Sequence, residues 1–244
     1  MLKLVKYEWM SRWKFFLGGI ILLTFFNLYI ITKSPDNIDP KVFAITSIII
    51  FVAGIVLMVD HIGRMYHSLF KETGYLLFTT PLSGYKILGG KIITVILECF
   101  GILLFGGLLM FIDYLIVISK YPELQMKLNI PNELIAYIMK FFVMFLLGYI
   151  IFILMAYLSA VLARSVFSVF KYGKLLSFIC FLVIAEILGK IVELVDNTKH
   201  LVHIGFYGEI PTFNISNYYF IMIICIIGIL FMITGYLLDR KINL

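Results

Sequence analysis

The sequence predicts an all-α, polytopic membrane protein with six transmembrane helices and a short interfacial helix before the first. Three observations carry that prediction. Of the 244 residues, 62% are apolar or aromatic and only 14% are charged, with a mean hydropathy of +1.06. Soluble chains run about 45–50% apolar and about 25% charged, so lipid must solvate most of these side chains. Six apolar runs of roughly the ~20 residues needed to cross the hydrocarbon core can be drawn, at 15–32, 42–60, 92–119, 134–163, 175–194 and 218–238. None of them alternates apolar with polar residues, as the strands of a membrane barrel would. No polar stretch is long enough to fold alone, so residues 1–244 are expected to form one membrane domain.

In residues 1–14, Leu2, Val5, Trp9 and Trp13 fall in one narrow stripe of a helical wheel, bordered by Lys6 and Arg12. That pattern predicts a helix lying flat on the membrane with Trp9 and Trp13 as anchors at headgroup depth. The run 15–32 is too long for a signal-peptide core and no small-residue cleavage site follows it, so it reads as a span. Lysine and arginine placement sets the orientation. Thirteen basic residues fall on the side that holds both termini and the connections 61–91 and 164–174, opposed there by Glu8, Asp60, Glu72 and Asp239. The other side carries seven, matched by as many acids. Both termini are therefore expected in the cytoplasm, with the chain in the cytoplasmic (inner) membrane. The net charge of +6 is a topology signal that anionic lipid headgroups would meet. No basic stripe interleaved with exposed aromatics points to nucleic acid.

The connection 61–91 is long and keeps helical spacing at Leu69, Phe70, Leu76, Leu77, Leu82, Ile87 and Leu88. Gly74 breaks a helix after Glu72, and Pro81 starts or kinks another. A helix leaving the membrane, a turn, a short surface helix and re-entry at Lys91 are expected. A surface helix with an apolar face suits docking into a groove on another protein.

At these residues the chain resembles a known family. Glu72-x-Gly74-x-x-x-Phe78-x-Thr80-Pro81-Leu82-Ser83, followed by Ile87-Leu88-x-Gly90-Lys91, is similar to the cytoplasmic loop of type-2 ABC transporter permeases. Phe78 stands where that family commonly has leucine, and Tyr75 where it often has threonine. The resemblance implies that the loop holds a coupling helix, with Glu72, Gly74, Leu77, Thr80, Pro81, Leu82 and Ser83 contacting a separate ABC ATPase subunit. It also implies a second permease subunit, identical or paralogous, and an exporter-like role with a hydrophobic or amphipathic cargo. The segment Gly84-Tyr-Lys-Ile-Leu-Gly89-Gly90-Lys91 is not a P-loop, because Gly90 occupies the lysine position and Ile92 follows Lys91 where a hydroxyl should hold magnesium. No cofactor is expected in this chain; ATP and Mg²⁺ would be bound by the partner. The chain is not expected to be an enzyme by itself.

Glu98 and Glu186 lie within spans, where a charge is costly in lipid, so each is expected to face the bundle interior or a cavity. They are candidate pathway residues, or else protonated or hydrogen-bonded packing groups. Asp60 and Asp113 lie near span ends, where water is expected to reach them. Cys99, Cys180 and Cys225 are far apart inside apolar runs and read as packing residues. His200 and His203, with Glu209 beyond, lack the third ligand of known geometry that a metal site needs. Their segment, 193–213, is expected to form one or two short re-entrant helices. Ala156, Ser159, Ala160 and Ala163 repeat at small-xxx-small spacing, which lets helices approach closely. The alternative to a permease subunit is an ion-coupled secondary transporter or channel, whose usual marks are inverted repeats and broken spans. No proline lies within the six runs.

Overall fold

The computed structural model describes residues 2–33, 41–70, 83–120, 132–166, 173–199, 202–207 and 210–240. These form six helices and one β-hairpin: α1 (Leu2–Lys33), α2 (Lys41–Phe70), α3 (Gly84–Lys120), α4 (Asn132–Val166), α5 (Gly173–Lys199), β1 (Val202–Tyr207), β2 (Ile210–Ile215) and α6 (Asn217–Arg240). Five of them, α2 to α6, are long and apolar enough to cross a membrane. Their outward faces carry large apolar side chains such as Phe51, Leu104, Leu108, Leu182, Ile224 and Met232. That is the inverse of a soluble protein, which rarely exposes a contiguous apolar surface of such extent. The protein is a helical, multi-pass membrane protein.

The helices overrun the apolar runs. At 1.5 Å per residue the 37 residues of α3 extend about 55 Å, well beyond a hydrocarbon core of about 30 Å. The expected connection 61–91 is correspondingly shortened, because 61–70 continues α2 and 84–91 already belongs to α3. The expected interfacial helix over 1–14 is not separate: α1 runs unbroken from Leu2 to Lys33. The reason lies in two charged side chains beside its stripe. Glu8 and Arg12 are drawn to partners on α3 and α2, so the start of α1 packs on other helices.

An all-α fold also leaves out the hairpin. Where re-entrant helices were expected over 193–213, α5 continues to Lys199 and is followed by antiparallel β1 and β2, in register from Val202 opposite Ile215 to Tyr207 opposite Ile210. Val202, Ile204, Phe206, Phe213 and Ile215 suit a strand as well as a helix. A short apolar run does not distinguish the two by periodicity.

The chain divides into two compact units. The first comprises Met1–Asp60 and Gly90–Ile130, the second His61–Gly89 and Pro131–Leu244. In the first, Gly101 of α3 lies against the Phe16 ring and Gly106 against Ile50, where an added Cβ would fall 2.9 and 3.1 Å from those side chains. In the second, α4 is the central helix, packed on both α5 and α6 and touched by β2. Every residue from Ile153 to Val161 is buried, as befits a helix covered on all sides. The small residues of α4 serve this packing: Ala156, Ser159, Ala160 and Ala163 are all buried, and Ser159 Oγ meets Ser177 Oγ of α5 at 3.4 Å.

Overpacking that seam should be costly. Ala163→Leu adds three carbons at a site that is 1% exposed and should lower the thermal unfolding midpoint in detergent, by about 1–3 kcal/mol in stability. A midpoint equal to wild type would show that α4 is not the close-packed centre of the second unit.

Candidate functional site

Most residues of the expected coupling helix, Glu72, Gly74, Leu77, Thr80, Pro81 and Leu82, lie outside the described residues. The two ends of that segment are described, and both are held within the second unit. At the exit, Met65 and Leu69 of α2 are buried at 2% and 5% exposure, and the Tyr66 and Phe70 rings stack with centroids 4.2 Å apart. Gly173, the first residue of α5, sits directly on Phe70: a Cβ there would come within 2.8 Å of the ring. Arg164, in the last turn of α4, lies over the Phe70 ring at 5.8 Å, and Lys174 Nζ over the Tyr66 ring at 5.6 Å. Such cation–π contacts contribute about 0.5–1 kcal/mol each at exposed sites.

At re-entry, the carbonyl of Ser83 accepts hydrogen bonds from the N–H groups of Lys86 (2.8 Å) and Ile87 (3.2 Å), starting α3. The Gly84 N–H donates to Asp239 Oδ1 of α6 at 2.8 Å. A carboxylate at this position meets the positive end of the α3 dipole. Only glycine fits at 84, since a Cβ would lie 2.7 Å from the Asp239 nitrogen, 2.8 Å from Leu238 Cβ and 2.9 Å from the Gly235 carbonyl. Ile87 and Leu88 follow at 2% and 0% exposure. The ends of α2 and α3 that flank residues 71–82 in sequence are thus fastened to α4, α5 and α6.

Deeper in the second unit, His61 Nδ1 and the Tyr149 hydroxyl are 2.7 Å apart, and the Tyr157 hydroxyl donates to the His61 carbonyl at 3.4 Å. His61 is fully buried. Its pairing with α4 could not be read from spacing, because 88 residues separate His61 from Tyr149.

The acidic residues within the membrane runs behave differently from one another. In the first unit Glu98 is buried, as expected, on the face of α3 that also carries Lys91, Thr94 and Val95. Lys91, 7% exposed, donates to Glu8 at 3.2 Å, and the Thr94 hydroxyl donates to the other Glu8 oxygen at 3.2 Å. Asp60 is not simply wetted; it pairs with Arg12 of α1. Nor is Asp113, which is 1% exposed and accepts hydrogen bonds from Asn27 Nδ2 (3.0 and 3.1 Å) and Thr46 Oγ1 (3.2 Å). Run length alone puts these acids near span ends. The long helices carry the same positions under protein cover.

Glu186 departs from expectation in the opposite sense. Its side chain is 69% exposed in the second unit and pairs at 3.4 Å with Lys190 one turn on, itself 73% exposed. Trp9 and Trp13 lie on α1 with 36% and 54% exposure, and the Trp9 ring is 6.1 Å from that of Phe16. Cys99, Cys180 and Cys225 are free thiols, and only Cys99 is buried. His200 and Glu209 lie outside the described residues, while His203 is in β1 opposite Asn214. Among the described residues no group of three His, Cys, Asp or Glu is placed to hold a metal ion.

In comparisons with known proteins the chain matches no family model, no curated protein and no solved structure.

The Asn27–Thr46–Asp113 cluster joins three helices of the first unit. Asp113→Leu strips the acceptor from two buried donors and should destabilise by about 1–3 kcal/mol, read as a lower unfolding midpoint in detergent. The triple variant Asn27→Leu, Thr46→Val, Asp113→Leu leaves nothing unpaired and should recover part of the loss. Equal midpoints for wild type and Asp113→Leu would mean that the cluster does not hold these helices together.

Proposed function

We propose that this chain is the membrane-spanning permease subunit of an ATP-driven ABC transporter. It would have six spans, the sixth being the 15–32 portion of α1, and both termini in the cytoplasm. It would act with a separate ATPase subunit that binds ATP and Mg²⁺, and with a second permease subunit. The observation that supports this reading is the fixing of the helix ends on either side of residues 71–82. An element that transmits motion from a partner into spans must be rigidly fixed to them. Here the exit is held by Phe70 against Gly173 and Arg164, and the re-entry by Gly84 against Asp239. Basic side chains at those ends, Arg64, Arg164, Lys174, Lys86 and Arg240, favour the cytoplasmic side. A hydrophobic or amphipathic cargo, exported rather than captured, fits the apolar character of the spans and the shortness of the outer connections.

The second permease subunit is supported by α5. Glu186 and Lys190 fall near the middle of this 27-residue helix, and each charge exposed to lipid at the bilayer centre would cost about 2.5–3.5 kcal/mol on insertion scales. Leu175, Ile179, Leu182, Glu186, Gly189 and Glu193 follow 3-4 spacing on that exposed side, the pattern of a helix-packing seam. A parallel α5 from the second subunit would cover the stripe and offer Lys190 to Glu186 across a two-fold axis.

A second reading, the ion-coupled secondary transporter, is favoured by the buried carboxylate of Asp113. It predicts transport that survives ATP depletion and is abolished by Asp113→Asn.

For the ABC reading, Glu72→Ala and Leu82→Asp should leave the protein inserted and folded. They should lower substrate-stimulated ATP hydrolysis of the purified permease–ATPase complex in vesicles by at least about tenfold, as loss of a buried anchor or charge contact at such an interface does. Wild-type stimulation in both variants would remove the coupling role from the loop. In a background with Cys99, Cys180 and Cys225 replaced by alanine, Leu182→Cys should form a disulfide-linked dimer in membranes. Phe181→Cys should not, because that ring packs inward on Phe152 at 5.3 Å. Absence of the Leu182 cross-link would remove α5 from the subunit interface.

A further inference from the structure

The first unit contains a groove between α1 and α2 that nothing in the transport reading uses. Its volume is about 830 Å³. The walls are Phe15, Leu22 and Phe26 of α1 and Ile48, Val52 and Val56 of α2, and Ile102 of α3 contributes to the lining. Gly18 and Gly19 line it too, and a Cβ added at either would meet nothing within 4 Å. The groove therefore exists because two adjacent glycines leave the α1 side without side-chain atoms where α2 offers only branched apolar residues and Ala53.

The lining is apolar except at one end, where Lys14 stands. Lys14 is exposed, and among the described residues no acidic side chain forms an ion pair with it. Neighbouring Arg12 is already committed to Asp60. Trp13, also exposed, marks this as the headgroup end of the helix, where amphipathic aromatic rings concentrate. From Phe15 to Phe26 the groove runs eleven residues along α1, about 16 Å at 1.5 Å per residue. One leaflet of the hydrocarbon core is about 15 Å deep, half of about 30 Å.

We propose that this groove is a binding site for an anionic phospholipid of the leaflet on the Lys14 side. Its acyl chain lies over Gly18 and Gly19, and its phosphate is held by Lys14. A long apolar channel one leaflet deep, with Lys14 at its mouth paired to no acid among the described residues, has the charge distribution that complements such a lipid. An apolar helix of a second copy would offer Lys14 no counter-charge.

The test is lipid retention by the purified full-length protein. The protein is exchanged into nanodiscs containing equal phosphatidylglycerol and phosphatidylcholine, released into mild detergent, and its bound lipids are counted by native mass spectrometry. Wild type should retain phosphatidylglycerol in preference to phosphatidylcholine and saturate at one molecule per chain. Gly18→Leu with Gly19→Leu fills space that is empty and raises helix propensity, so the helix should persist; retention of both lipids should fall at least about tenfold, a change of about 1.4 kcal/mol. Ile48→Trp, which blocks the groove from α2, should do the same and guards against an effect of the glycine pair on folding. Lys14→Gln should abolish the preference for phosphatidylglycerol while phosphatidylcholine retention stays at the wild-type level. Equal retention of the two lipids by wild type would overturn the proposal. So would wild-type retention in both groove-filling variants, or a lipid-free wild-type dimer that those variants convert to monomer.

Discussion

Lys91 lies 7% exposed on α3, and its charge is tolerable there only because Glu8 reaches it from α1 at 3.2 Å. The same requirement, that a polar group removed from water find a partner inside the protein, governs the rest of the structure. Lipid offers no hydrogen bonds, and an unsatisfied group there costs several kcal/mol. Among the described residues no buried side-chain nitrogen or oxygen lacks a hydrogen-bond partner. In the first unit the partners come in sets that join helices: Glu8 with Lys91 and Thr94, Arg12 with Asp60, Asn27 and Thr46 with Asp113. In the second, His61 meets Tyr149 and Ser159 meets Ser177. These are specific pins in a medium where apolar burial alone gives helices little reason to choose one another.

Close packing supplies the remaining attraction, and it depends on small residues. Gly101 admits the Phe16 ring and Gly106 admits Ile50 in the first unit; Gly84 admits the end of α6 and Gly173 admits Phe70 in the second. In each case the missing side chain allows another helix within van der Waals range, where dispersion contacts accumulate. Gly18 and Gly19 are the counter-example, glycines with nothing against them. The groove they leave is therefore a feature of the surface and not of the core.

The same logic fixes the helix ends on either side of residues 71–82. Phe70 and Gly84 bound twelve residues of sequence outside the described structure plus Ser83, and each is locked by a contact that a larger residue at Gly173 or Gly84 would prevent. Glu186 and Lys190 pose the complementary problem, a charged pair displayed outward at mid-helix, which is costly within a bilayer.

Some of this was determined by the sequence itself. Long apolar runs make helices in lipid because every backbone group must bond within its own segment; five of the six runs lie in helices able to span, and the sixth lies within α1. The spacing of Ala156, Ser159, Ala160 and Ala163 marked where α4 packs closely on other helices, since one helix's small-residue pattern is visible locally. Other features were decided only by the tertiary structure. Whether Asp113 is wet or buried depends on Asn27 and Thr46, 86 and 67 residues away. Whether Glu186 faces inward depends on which side of α5 meets α4, and whether 202–215 is helix or strand depends on its pairing with itself across Tyr207 and Ile210. Periodicity fixes which residues share a face, but the partner that face meets is a long-range contact, and no local pattern encodes it.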